Sequence, residues 1–277
     1  MKYHIENNTV QETLVIPLYG RVICSRHYPH LFSDPEAERI CAMLDYDFAA
    51  KRKKMESAAG LFGALEVAQR HYDLQWEVKD YLKRHPRAAV VNLGCGLDDT
   101  FQKCDNGQCH GYNIDLPDVI AIRNDVMPAE DRETNLAFDL NDDAWMDAVD
   151  ASEGAVFFAA GVFYYFQTEQ IRNLFVRMAE RFPGAVLVFD TCGPLGTKLM
   201  RGTWLKGAGI DSLDTFFSLS DEKELVKWSS RFASVTAKSY MRGYCDIYNE
   251  VGLFYKLLLH ICDHPIGMKI VRIEFGG

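Results

Sequence analysis

The sequence predicts an α/β fold, a doubly wound and mostly parallel sheet of about seven strands with an N-terminal helical extension. Three observations carry this expectation. Ala88–Leu93, Gly154–Ala160 and Ala185–Phe189 are short, almost wholly apolar runs, as expected of central parallel strands that are covered on both faces. They alternate with segments of helical periodicity, the pattern of a doubly wound sheet. Finally, Gly94, Asp115, Asp139 and Ala160-Gly161 all fall at the carboxyl ends of predicted strands, where such sheets bind their ligands.

The chain has 277 residues, 48 % hydrophobic and 25 % charged, with a formal net charge of −9. This suits a soluble protein with a sizeable core, and one domain is expected, with a helical cap region over 1–84 and the sheet over 85–277. The negative balance argues against nucleic acid and anionic membranes as partners. Lys51-Arg52-Lys53-Lys54 is a local basic run that reads as a solvated face. The start of the chain is polar and the longest apolar run, Ala155–Phe166, is too short to span a bilayer, so a cytoplasmic protein is expected. Eight scattered cysteines read as reduced thiols, and Cys104-x4-Cys109-His110 lacks the second cluster that a metal site needs.

In chain order, Asp34-Pro35-Glu36 starts a helix with Ala37, Ile40, Cys41 and Leu44 on one face. Leu61, Leu65, Ala68, Tyr72, Trp76 and Leu82 mark one long amphipathic helix leading into the sheet. Arg70 lies off that stripe, where Glu66 is its i,i+4 neighbour. After the first strand, Gly94-Cys95-Gly96 permits a sharp turn against bare backbone. The second strand, His110–Ile114, ends in Asp115, 21 positions after Gly94, a spacing that sets a carboxylate to accept both hydroxyls of a ribose. Leu97-Asp98-Asp99 stands where a dinucleotide fingerprint would place its third glycine, so the loop suits a mononucleoside cofactor, of which S-adenosylmethionine is the commonest.

Pro117 opens a helix through Val119 and Ile122, and Leu136–Phe138 forms a third strand. Asp139-Leu140 then offers a carboxylate for an adenine amino group and a hydrophobe for the ring, or alternatively a helix cap. Thr168-Glu169 starts a helix that buries Ile171, Leu174, Phe175 and Met178 until Pro183-Gly184 stops it. Gly196, Gly202, Gly207 and Gly209 around Trp204 suit a mobile lid. Ser220 is expected to cap a helix, Ala233–Met241 and Lys269–Phe275 to be strands, and Ile247, Tyr248, Val251, Phe254, Tyr255, Leu258 and Leu259 to form one helix facing the core.

Leu93-Gly94-Cys95-Gly96-Leu97-Asp98, Ile114-Asp115-Leu116-Pro117, Phe138-Asp139-Leu140 with Trp145, and Gly161-Val162-Phe163-x-Tyr165 together resemble the leucine carboxyl methyltransferase family. The likeness runs roughly from Leu14 to Pro194 and is nearest to the bacterial polyketide-type O-methyltransferases. It implies a Rossmann-like methyltransferase sheet and an S-adenosylmethionine-dependent O-methyltransferase that acts on a hydroxyl or carboxylate of a small molecule. Methylation of a protein carboxyl terminus is the less favoured reading, and a catalytically degenerate cofactor-binding protein is the alternative. The resemblance assigns Gly94, Cys95, Gly96, Asp115, Leu116, Asp139, Leu140, Ala160 and Gly161 to the cofactor, and Arg70 to its carboxylate as a planar bidentate donor. Tyr19, Arg21 and Tyr165 are expected near the acceptor, and no metal is implied. Two departures stand out. Leu97-Asp98-Asp99-Thr100 replaces the family's Leu-Asp-Thr-Arg, losing a positive charge, and Ala160 replaces a glutamate that faces the methionine end, leaving an ammonium contact for which Asp98 is the candidate.

Overall fold

The computed structural model describes residues 2–6, 9–200, 215–245 and 247–277. Gly202, Trp204, Gly207 and Gly209, the core of the expected lid, lie outside these residues. The described residues build a seven-stranded sheet from β1 (Ala89–Leu93), β2 (His110–Asp115), β3 (Glu133–Ala137), β4 (Ala155–Ala159), β5 (Val186–Thr191), β6 (Phe232–Ser239) and β7 (Lys269–Phe275). Its spatial order is β3-β2-β1-β4-β5-β7-β6. The first five strands are parallel, and β7 inserts antiparallel between β5 and β6. The chain reverses direction across the sheet between β1 and β4, which opens a crevice at their carboxyl ends.

Alternate residues of each strand enter opposite halves of the core. Val90, Val156, Phe158, Val186 and Val188 pack on the face covered by the N-terminal helices, while Val91, Leu93, Phe157, Leu187 and Phe189 pack on the other. Both faces are dry, which is why the sequence of these strands shows no polar alternation. Each large side chain so buried contributes about 1.5–3 kcal/mol.

The cap region consists of α1 (Val10–His27), α2 (Pro35–Met43), α3 (Phe48–Met55) and α4 (Ala58–Leu82). Asp34 caps α2 by accepting from the Ala37 N–H at 3.1 Å. The expected long helix is α4, capped by Ser57. In the basic run, Lys51 pairs with Glu12 at 3.1 Å and Arg52 with Glu56 at 3.0 Å. The helices α5 (Thr100–Cys104), α6 (Pro117–Val126), α7 (Ala144–Asp147) and α8 (Thr168–Arg181) connect the parallel strands.

Several boundaries differ from the sequence reading. The third strand ends at Ala137 instead of Phe138 and begins at Glu133, because pairing with β2 extends it through residues of mixed polarity. Ser220 does not cap a helix. Asp221 caps a single 3-10 segment, Glu222–Lys227, by accepting from the Lys223 N–H. The expected C-terminal helix is two, α9 (Ile247–Glu250) and α10 (Leu253–Asp263), divided at Gly252. Its apolar face is only partly core: Leu259 and Cys262 are buried, while Leu253 and Phe254 are exposed.

Candidate functional site

The carboxyl ends of β1 and β2 are joined by backbone. The N–H groups of Gly94 and Cys95 both donate to the Ile114 carbonyl, at 2.8 and 3.0 Å. Gly94 and Gly96 hold φ of 68° and 47°, in the left-handed region. A Cβ on Gly94 would lie 2.5 Å from the Val162 side chain, and one on Gly96 3.1 Å from Leu14 of α1. Glycine is therefore required twice here, once for close approach and once for conformation. Asp115 is fixed at the end of β2, where Oδ2 accepts from Gly96 N–H and Oδ1 from Leu116 N–H, each at 2.8 Å. Each oxygen keeps a further lone-pair direction. Two adjacent acceptors on a rigid mount fit the vicinal hydroxyls of a ribose. Burial pushes the Asp115 carboxyl above its ordinary value, and the two backbone N–H groups oppose that rise.

The far side of the same loop is held by cations. Arg123, fully buried, donates to the carbonyls of Gly96 at 3.0 Å and Asp98 at 2.8 Å. Arg21 reaches from α1 to the Leu97 carbonyl at 2.9 Å and to Asp34 at 2.8 Å. The Asp98 carboxylate accepts from Asn92 at 3.1 Å and from Thr100 N–H at 2.8 Å, and it shares a 3.0 Å hydrogen bond with His71 Nδ1. His71 Nε2 lies 3.2 Å from Asp99, which Lys103 also meets at 2.9 Å. Desolvation would lower the His71 pKa, but the hydrogen bond and charge of Asp98 and the neighbouring Asp99 outweigh it and raise it. Desolvation would likewise raise Asp98 and Asp99, yet His71 and Arg21 hold both well below the usual carboxylate range. The Asp34, His71 and Asp99 ligand atoms lie within 4.8 Å of one another, and Arg21 and Lys103 already balance their charge.

At the ends of β4 and β5 a different group gathers the contacts. Asp190, the penultimate residue of β5, accepts from Gly161 N–H at 2.6 Å through Oδ1, and through Oδ2 from Tyr164 O–H at 3.1 Å and Arg70 Nη1 at 3.0 Å. Gly161 has φ of 74°, and a Cβ there would come within 2.7 Å of Arg70 Nη1. Tyr164 and Tyr165 sit on a 3-10 turn, Phe163–Tyr165, anchored by Phe163, whose ring packs edge-on against Phe175 and Phe189. One turn before Arg70 on α4, desolvation pushes the Glu66 carboxyl up to about 7, against the Cys262 thiol that donates to it at 3.5 Å.

Residues 15–179 match the family described as leucine carboxyl methyltransferase. This chain belongs to that family. It is an S-adenosylmethionine-dependent methyltransferase. It is 26 % identical over 186 residues, 67 % of each chain, to the tetracenomycin polyketide synthesis O-methyltransferase TcmP of Streptomyces glaucescens. In fold it resembles a DUF574 family protein from Streptomyces avermitilis MA-4680, with a TM-score of 0.60 at 13 % identity over 85 % of this chain and 94 % of that one. It also resembles the plantazolicin methyltransferase BamL, solved with a triazolic desmethylplantazolicin analogue and S-adenosylhomocysteine, with a TM-score of 0.51 at 11 % identity over 96 % and 99 %.

Against the positions that the leucine carboxyl methyltransferase motifs single out, the structure brings Gly94, Gly96, Asp115, Arg70, Ala160 and Gly161 to one edge of the sheet. Cys95 is buried beside the loop, with its thiol pushed upward by desolvation. Leu116 is half-buried, Asp139 is exposed and accepts from Asn141, and Leu140 is in the core at 5 % exposure. Four residues make contacts that the sequence does not announce. Arg70 pairs with Asp190, not with Glu66. The Asp98 oxygens are taken by His71, Asn92 and Thr100. Arg21 is buried in its ion pair with Asp34 and supports the loop from behind, and Tyr19 packs in the core against Phe48 with ring centroids 4.9 Å apart. The sequence assigns no role to Asp190 or Tyr164, yet Asp190 lies one residue before the end of β5, close to the place that Asp115 takes on β2, so the strand-end rule points to it.

Proposed function

We propose that this chain methylates an oxygen, a hydroxyl or carboxylate, of a small polyketide-type molecule. The observation that carries the reading is the gathering of Gly94, Gly96, Asp115, Arg70 and Gly161 on one sheet edge, and the likeness to TcmP supports the acceptor class. Asp115 would hold the ribose hydroxyls and Arg70 the methionine carboxylate, while Leu116, Asp139 and Leu140 flank the adenine. Tyr165, half-buried beside Arg70 and Asp190, faces the acceptor; burial raises its pKa, so it stays protonated near neutrality and orients the acceptor as a hydrogen-bond donor. When bound, S-adenosylmethionine would supply a sulfonium methyl group to the acceptor oxygen, with S-adenosylhomocysteine as the leaving group and the proton of a hydroxyl acceptor passing to solvent. The chain's own task is to align the two and exclude water. Residues 1–84 belong to the same functional unit, since α1 packs Leu14 over Gly96 and lends Arg21 to the loop.

Incubation with S-adenosylmethionine carrying a labelled methyl group, against a panel of phenols, enols and carboxylic acids, tests this directly. Label recovered as a base-stable ether identifies a hydroxyl acceptor, and label recovered as a base-labile ester a carboxylate. Tight binding of S-adenosylhomocysteine with no transfer to any acceptor would favour the degenerate reading that Ala160 suggests.

A further inference from the structure

We propose that Asp190 takes the role of ammonium acceptor for the methionine end of the cofactor, so that Arg70 and Asp190 form a ready-made clamp for an amino-acid zwitterion; this rests on the cofactor reading above. Position 160 is alanine and offers no charge. Asp98 is consumed by His71, Asn92 and Thr100. Asp115 is committed to the other end of the site by Gly96 and Leu116. Glu66, whose carboxyl burial pushes up to about 7, is engaged by Cys262. Among the described residues, Asp190 is the carboxylate that remains at this edge, and its Oδ1 accepts from the N–H of Gly161, the residue next to Ala160.

The bonding of the pair leaves room for a ligand of this kind. A carboxylate offers about four lone-pair sites and a guanidinium five N–H donors. Asp190 uses three sites, for Gly161, Tyr164 and Arg70, and Arg70 spends one donor on Asp190. The pair therefore retains an acceptor beside a set of donors, the complement of an ammonium beside a carboxylate. The Arg70 side chain is 15 % exposed and that of Asp190 is 2 % exposed, so a ligand carboxylate meets the guanidinium at the rim while its ammonium seats below. Four alternating charges then share one desolvated site, where charge-assisted hydrogen bonds are strongest. Gly161 positions both partners, through its N–H on Asp190 and through the absent Cβ that would displace Arg70.

Calorimetry on the full chain tests the clamp with S-adenosylhomocysteine, its deaminated analogue and methylthioadenosine, which lacks the amino-acid portion. Asp190→Asn should weaken S-adenosylhomocysteine at least tenfold and change the other two less than twofold. Equal losses for all three ligands, or none, overturn the clamp. If Asp190→Asn does not fold, Ala160→Glu in the otherwise unchanged chain decides: with an acceptor already present, the added acid tightens S-adenosylhomocysteine less than about threefold. A gain of tenfold or more, absent for methylthioadenosine, would mean an unsatisfied ammonium and overturn the proposal. Wild-type protein that binds methylthioadenosine as tightly as S-adenosylhomocysteine also overturns it while the nucleoside site stands, whereas failure to bind either ligand sinks the cofactor reading itself.

Discussion

At the β1–β2 edge the loop carbonyls of Gly96, Leu97 and Asp98 are each held by a buried arginine, and its carboxylates by a histidine and a lysine. At the β4–β5 edge a single carboxylate, Asp190, collects a backbone N–H, a tyrosine and an arginine, and the arginine remains partly open to solvent. Apart from the two acceptors that Asp115 keeps open, the first edge is finished before any ligand arrives, which suits a nucleoside held by shape and by its ribose hydroxyls. The second keeps bonding capacity in reserve, which suits a charged ligand that completes it. His71 on α4 and Arg21 on α1 brace the loop from outside it, through Asp98 and the Leu97 carbonyl.

The largest effect should follow from breaking the finished edge. His71→Ala removes the ring between Asp98 and Asp99, leaving two carboxylates at a mostly buried site with fewer counter-charges. Breaking such a pair costs about 3–5 kcal/mol. Urea denaturation should show a loss of that order; a loss below about 1 kcal/mol would mean that Lys103, Arg21 and Asn92 suffice and that the histidine only fills space.

Next in size is Asp115→Ala, which takes away both ribose acceptors and the partner of the Gly96 and Leu116 N–H groups. Each lost bond to an ionised acceptor is worth about 1.5–3 kcal/mol. Affinity for S-adenosylhomocysteine and for methylthioadenosine should fall together, by about ten- to a hundredfold or more, with the fold retained by circular dichroism. Unchanged affinity for either ligand would remove the ribose from this carboxylate.

The two edges were unequally legible in the sequence. Gly94, Gly96 and Asp115 were readable because their spacing is set within one β-loop-β unit, so local geometry forces them together. Arg70 and Asp190 stand 120 positions apart, and no local rule couples them. The resemblance supplied Arg70 but placed its charged counterpart at position 160. Arg21 is expected near the acceptor from the resemblance alone, because its partners, Asp34 and the Leu97 carbonyl, meet it only once α1 lies on the loop. The parallel strands were legible because burial on both faces leaves an unbroken apolar run, whereas β3 was located imprecisely since its early residues, Glu133 to Asn135, are polar and pair by register alone. The exposed Leu253 and Phe254 fit a helical period equally well whether or not anything covers them.

A smaller effect should separate the edges by ligand. Arg70→Met should weaken S-adenosylhomocysteine by about 1.5–3 kcal/mol, the worth of a hydrogen bond to a charged group, and leave methylthioadenosine nearly unchanged. Parallel losses for both ligands would show that the arginine supports the fold through Asp190 and does not meet the cofactor.

The smallest expected effect is a pH dependence that belongs to the finished edge alone. Asp98 and Asp99 are held below their ordinary value of 3.8, so the stability they contribute is present above that value and is lost as pH falls through their depressed pKa. His71 is raised above 6.5, so its contribution is complete below 6.5 and is lost as pH rises through the raised pKa, at about 1.4 kcal/mol for each unit of upward shift. The network should be strongest between about pH 4 and 6.5, where Asp98 and Asp99 are ionised and His71 keeps its proton. His71→Gln keeps a hydrogen-bonding side chain that never ionises. Urea midpoints at pH 5.5 and pH 9 for both proteins should differ more at the lower pH, with the gap narrowing as the wild-type ring loses its proton. A gap of equal size at both values would mean that His71 is not charged in the folded protein, and that the loop is held by Arg21 and Arg123 without it.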